Sequence, residues 1–289
     1  MDNLRGALLM TLSMAGFAME DMFIKLIAGA VPTWQIIAVM GLGGAPLFAV
    51  LTLARREPLL TRAYLSVPVM IRLFGEIMGR VGLVTAIALV PLSTASAILQ
   101  ATPLAVALGA ALVYRDPVGW RRWCAIAAGF CGVLIVIRPG MEGFDIRSLF
   151  AVLAVIGLGA RDLATRSIPS TTSSMQLSFI AFLSFFPTAL VLSLFSDAAF
   201  VMPDARLSLL MLAMVLFGAL GYYMIVAAMR VGEVTFVTPF RYARVLFAIV
   251  IGVTVFGERP DIWVLVGAVL IVGSGIYSVW RERKRQLPR

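Results

Sequence analysis

Apolar residues in this chain come in blocks of about twenty, the length an α-helix needs to cross the hydrocarbon core of a bilayer. Pro, Gly and charged residues cut the blocks apart. Reading from one cut to the next predicts ten helical spans, at about 5–27, 34–54, 65–89, 93–114, 119–137, 147–167, 174–196, 207–230, 234–256 and 261–280. Links such as "VPLST" (90–94) and "GERPD" (257–261) leave no room for a soluble domain. Successive spans therefore run antiparallel, and the expected class is an all-α integral membrane protein.

The pattern then repeats. A shift of 141 or 142 residues lays "EDMFIK" (20–25) on "RDLATR" (161–166) and "VYRDPVGW" (113–120) near "VFGERPDI" (255–262). Matched charges and prolines are not what generic Ala, Leu and Val runs produce. Five spans per copy is an odd number, so the second copy enters the membrane upside down, the inverted-repeat plan of secondary transporters. The expected division is 1–140 for the first five-helix repeat and 141–289 for the second, inverted one.

Composition sharpens this picture. The chain is 61% hydrophobic and 13% charged, against roughly 45–50% and 25% in soluble domains, and its mean hydropathy is +0.99. The net charge of +9 sits at loop ends rather than on a soluble face, so it points to membrane lipid and not to nucleic acid. With the N-terminus inside, fourteen Lys and Arg fall on inner loops and tails and four (Arg138, Arg147, Arg206, Arg259) on outer ones. That asymmetry places both termini in the cytoplasm of a bacterial-type inner membrane. The first apolar segment has Glu20 and Asp21 where a cleavage region would fall, and reads as a retained helix.

Whole classes of chemistry are absent from the expectation. There is no His, hence no His-based acid-base triad and no usual zinc site, and no cofactor or metal is expected. Cys124 and Cys131, seven apart on one helix, stand roughly 10 Å apart, too far for a disulfide, and read as packing residues. No GxxxxGK[ST] loop occurs, so no ATP-binding module is implied.

Charges inside the apolar blocks are the candidate chemistry. In "IRLFGEIMGR" (71–80), Arg72, Glu76 and Arg80 climb one helix face at steps of four. Glu20, Asp21, Arg161, Asp162, Arg241 and Arg244 lie at comparable depth. Each costs about 2.5–3.5 kcal/mol at the bilayer centre on the gentlest scale, so they must face one another or a wet cavity. Two readings of the stripe stand. In one, Glu76 pairs with Arg72 and Arg80, or the stripe pairs with helix 1, as scaffold. In the other, the stripe lines a transport path, because by the 142 offset it falls on Met214, Gly218 and Tyr222 and so does not recur. Gly75 and Gly79 beside it form a small-xxx-small pair that reads as packing. Gln100, Thr102, Tyr222, Tyr223 and Tyr242 add polar groups at similar depth, and Pro239 interrupts the helix just before "FRYAR" (240–244).

The half-ending pattern, "ASAILQATPLAVALGAALVYRDP…GFCGVLIVIRPG" and "VTFVTPFRYARVLFAIVIGVTVFGERP…GAVLIVGSGIYSVW", resembles the EamA-type repeat of the drug/metabolite transporter superfamily over essentially the whole chain. One departure is that Pro103 corresponds by offset to Val245, and Pro239 stands in for it. The resemblance implies a secondary transporter working by alternating access; a membrane-embedded enzyme using Glu76 and Asp162 for acid-base work is the weaker alternative, disfavoured because there is no His and the acids are countered by arginines. Its amino-acid exporters, including those for aromatic amino acids, are the favoured branch, with S-adenosylmethionine and riboflavin transporters as alternatives. The expected substrate contacts are Glu76, Arg80, Gln100, Thr102, Asp162, Tyr222, Tyr223, Arg241 and Tyr242. Glu20, Asp21, Arg72, Arg161 and Arg244 are expected as structural or gating charges.

Overall fold

The computed structural model describes residues 2–115, 119–141, 144–169, 171–232 and 234–286, and among them there is no strand. The helices are α1 (Asn3–Ala28), α2 (Thr33–Ala54), α3 (Val67–Leu89), α4 (Leu92–Leu99), α5 (Thr102–Val113), α6 (Trp120–Ile137), α7 (Leu149–Thr165), α8 (Ser174–Leu194), α9 (Ala205–Val231), α10 (Val234–Val237), α11 (Ala243–Phe256) and α12 (Ile262–Gln286). Eight stretches of the described residues are long and apolar enough to cross a membrane. Helix α3 is not among them because Arg72, Glu76 and Arg80 interrupt its apolar run, and the apolar part of α6, Trp123–Ile137, is short. With these two, the helices fall where the ten apolar blocks predict.

Two crossings are discontinuous, each for a local reason. Leu92–Val113 breaks at Gln100 and Ala101 between α4 and α5, with Pro103 in the first turn of α5. A Pro there has no N–H to lose, so it tolerates a helix start where it would disrupt an interior. In the second half Pro239 opens a 3₁₀ turn, Thr238–Tyr242, ahead of α11. Pro46 inside α2 and Pro187 inside α8 are a further matched pair, 141 residues apart.

Packing shows how the halves interlock. Helix α1 runs along α9, α3 along α7, α2 along α8 and α6 along α12. The repeat offset exchanges the first two pairs and maps each of the last two onto itself, as a pseudo-two-fold requires. Each of these pairs joins one half to the other. Glycines set the closest crossings: a Cβ on Gly157 of α7 would lie 2.3 Å from the Gly79 nitrogen of α3, and one on Gly16 of α1 would lie 3.1 Å from the Gly221 Cα of α9. The two contacts are repeat equivalents, and Gly75 and Gly79 pack as expected. Cys124 and Cys131 correct the sequence reading, since both are free and exposed on the outer face of α6 rather than packed inside.

Candidate functional site: a buried network of ion pairs

Helices α1, α3 and α7 bring their charges together in a line. Arg80 of α3 reaches Glu20 of α1 at 3.4 Å and Glu76 one turn back at 3.9 Å. Glu76 in turn takes Arg161 of α7 at 3.3 Å, and Arg161 closes on its neighbour Asp162 at 2.8 Å. The order Glu20, Arg80, Glu76, Arg161, Asp162 alternates in sign and crosses from the first half to the second. Arg72 does not join it: its guanidinium donates to the Thr165 hydroxyl at 3.1 Å and to the Leu177 carbonyl at 3.3 Å. The expected pairing of Glu76 with both stripe arginines therefore holds for Arg80 alone, and Arg161 takes the other place.

A second pair stands beside this line. Asp21, fully buried, is gripped by Arg244 through three contacts of 2.7, 2.7 and 3.0 Å, while the guanidinium lies 5.4 Å from the Phe17 ring centroid. Such a forked Arg–carboxylate grip is the strong form of the interaction. Arg80 is held much more loosely. Its two carboxylate contacts are long, its Nε is buried without an acceptor, and Phe185 covers it at 5.3 Å.

The failure of the charges to repeat has a visible cause. Gly218 of α9 is the repeat equivalent of Glu76, and a Cβ on it would lie 2.8 Å from the Glu20 carboxyl carbon. Glu76 meets Arg161 at the crossing of α3 with α7, and the same place in the crossing of α9 with α1 holds Glu20 against a bare backbone. The acid has moved to the other helix, and the glycine makes room for it.

The remaining expected residues are scattered around this centre. Gln100 is buried at the break between α4 and α5, and the Thr102 hydroxyl is spent on the Leu99 carbonyl at 2.7 Å. The Tyr242 hydroxyl is buried without a partner against Gly275 of α12. Tyr222 hydrogen-bonds Ser178 of α8 and sits edge-on to Phe48. Arg241 is half-buried. Tyr223 stands apart from all of these, 64% exposed on the outer surface of α9. Among the described residues no group of three His, Cys, Asp or Glu is placed to hold a metal ion.

Two inverted halves, broken crossings and a buried charge network are what a solute pathway through a bilayer needs. The family model of the EamA-like transporters matches residues 4–138 and again 146–280. The chain belongs to the EamA-like transporter family. This EamA-like transporter is 28% identical over 203 residues to a riboflavin transporter of Rhizobium johnstonii, covering 70% of the chain and 67% of the relative. It is 24% identical over 194 residues to an S-adenosylmethionine uptake transporter of Rickettsia conorii, covering 67% of the chain and 65% of that relative's length. A pseudopaline exporter of Pseudomonas aeruginosa matches at 24% over 272 residues, 92% and 93% of the two chains. A solved crystal structure shares the fold, with a TM-score of 0.60 over 96% of this chain and 99% of its own at 18% identity.

Sequence spacing gives the charged residues of this EamA-like transporter, the Glu76–Arg80 pair and the approach of the stripe to α1, but not Arg161 as the second partner of Glu76. Thr165, Ser178, Phe185 and Gly218 are parts of the site that charge and spacing do not mark as such. Gly218 alone carried a signal, since the repeat offset sets it opposite Glu76.

Proposed function

We propose that this transporter moves small zwitterionic metabolites by alternating access, with amino acids, aromatic ones included, as the exported substrates. Arg80 carries the proposal. A buried guanidinium with a free donor and two long carboxylate contacts is under-satisfied, and an unmet buried donor costs about 1–3 kcal/mol. A substrate carboxylate supplies the missing acceptor, and its ammonium takes the place on Glu20 or Glu76 that Arg80 then vacates. Asp21 and Arg244, bound to each other more tightly, keep the scaffold. The repeats 1–140 and 141–289 trade conformations in the cycle, and the Lys and Arg asymmetry supports both termini on the cytoplasmic side of an inner membrane.

S-adenosylmethionine is the second reading. It is favoured by the named Rickettsia relative and carries the same amino-acid group, so the Arg80 argument applies to it unchanged. Riboflavin has neither carboxylate nor ammonium, and nothing in the network selects it. Flux of radiolabelled amino acids, S-adenosylmethionine and riboflavin into proteoliposomes, for the wild type and Arg80→Met, tests the assignment. The expected result is transport of the zwitterions, reduced about ten-fold or more by Arg80→Met, equivalent to ~1.4 kcal/mol. Movement of riboflavin alone rejects the substrate class.

A further inference from the structure

The end of the bundle opposite the termini holds a second polar knot, apart from the network around Arg80. Glu258 follows Gly257, whose φ of +62° lets the chain turn back after α11. Its carboxylate accepts the backbone N–H groups of Leu92 at 2.5 Å and Ser93 at 3.0 Å, and the Ser93 hydroxyl at 2.8 Å. Those N–H groups are orphan donors at the start of α4, whose own N-cap, Pro91, has no side-chain acceptor to offer. A negative charge there also meets the favourable end of the helix dipole. Lys25, in the last turn of α1, completes the knot. Its Nζ lies 3.5 Å from Glu258, donates to the Val90 carbonyl at 2.6 Å and stands over the Phe256 ring. One carboxylate and one ammonium thus tie the distal ends of α1, α3 and α4 in the first half to α11 in the second.

Placement gives the knot its meaning. Lys25 is four and five residues beyond Asp21 and Glu20, hence about 6–7.5 Å further along α1 toward the distal face. A solute moving between the Arg80 network and that face passes this level. Every contact of the Glu258 carboxylate in the knot is a cap, a side-chain hydrogen bond or an ion pair and none is a helix-interior bond, so the knot can part without unwinding a helix. Gly252 supplies its seat: a Cβ there would lie 2.6 Å from the carboxylate.

We propose that the Glu258, Lys25 and Ser93 knot is the distal gate of this transporter, closed in the present structure and opened once in each cycle. The inference rests on the alternating-access reading but not on the identity of the solute, and its test needs no substrate. The reporter is Ser96→Cys, isosteric with a buried hydroxyl three residues beyond Ser93, in full-length protein carrying Cys124→Ala and Cys131→Ala. In proteoliposomes it is exposed to an impermeant methanethiosulfonate from the face opposite the termini. Glu258→Gln is expected to raise the labelling rate about ten-fold or more, since it removes the ion pair that favours the closed state. A membrane-permeant carbodiimide then locks the native knot: it activates the Glu258 carboxyl, the neutral Lys25 amine displaces it to form an amide, and the carboxyl oxygen leaves in the urea. Mass spectrometry confirms the bridge. Locked protein is expected to label several-fold more slowly, whereas Lys25→Arg, which keeps the charge but forms no amide, is expected to be indifferent to the reagent. Equal labelling with and without the lock makes the knot a static strut and overturns the gate. If Glu258→Gln fails to fold, the lock on the native residues still decides.

Discussion

Arg80 and Arg244 are the same residue type at similar burial, yet the structure predicts opposite consequences for losing them. Arg244→Met strands Asp21, fully buried and deprived of three short contacts, and breaking such a pair costs about 3–5 kcal/mol. Arg80→Met removes two long contacts, leaves Glu76 still paired with Arg161, and is expected to cost well under half as much. Thermal unfolding in detergent should rank Arg244→Met far below Arg80→Met and show Asp21→Asn rescuing the former. The reverse order would make Arg80 the structural member. By the same geometry, the compensating partner for Arg80→Met is Glu20→Gln rather than Glu76→Gln. That preference could not be read from spacing, because the i,i+4 rule names only neighbours on the same helix and Glu20 comes from another one.

Among the helices, the crossings of α1 with α9 and α3 with α7 depend on glycines more than on any charge. A methyl at Gly157 would be forced against the Gly79 backbone at 2.3 Å, so Gly157→Ala is expected to separate α3 from α7 and to lower the unfolding temperature sharply. Gly273 of α12, with nothing within 4 Å of its Cβ position, is the control. Gly273→Ala is expected to be neutral or to stabilise by up to ~1 kcal/mol, the helix propensity gained. Equal effects of the two substitutions in a melting assay would show that close approach is not what holds the crossing. Helix positions were legible because the apolar blocks, the prolines and the bilayer thickness all state the same lengths. The matched Pro46 and Pro187 are equally legible from the repeat offset. Partners across crossings, such as Gly79 with Gly157, were not, because a small residue announces that something comes close without saying what.

For the whole molecule, the inverted plan was readable from an odd number of spans and a 141-residue offset, but the interlocking was not. Sequence divides the chain into two consecutive pieces, whereas the folded helices pair across that division. Either half made alone would leave its principal helix faces bare. The charge asymmetry predicts an orientation with both termini inside, and it is testable: in cells carrying the protein without its native cysteines, Arg62→Cys should be shielded from an external impermeant thiol reagent and Asp204→Cys should react. Labelling at position 62 from outside would invert the topology and place the Glu258 knot on the cytoplasmic face. Two of the four main crossings, α2 with α8 and α6 with α12, are carried onto themselves when the halves exchange. If the transporter alternates by the two repeats trading conformations, these two crossings are the same in both states, so they serve as fixed axles. The crossings of α1 with α9 and α3 with α7 must instead trade places. A covalent staple across an axle should leave the cycle running, and the same staple across a trading pair should stop it.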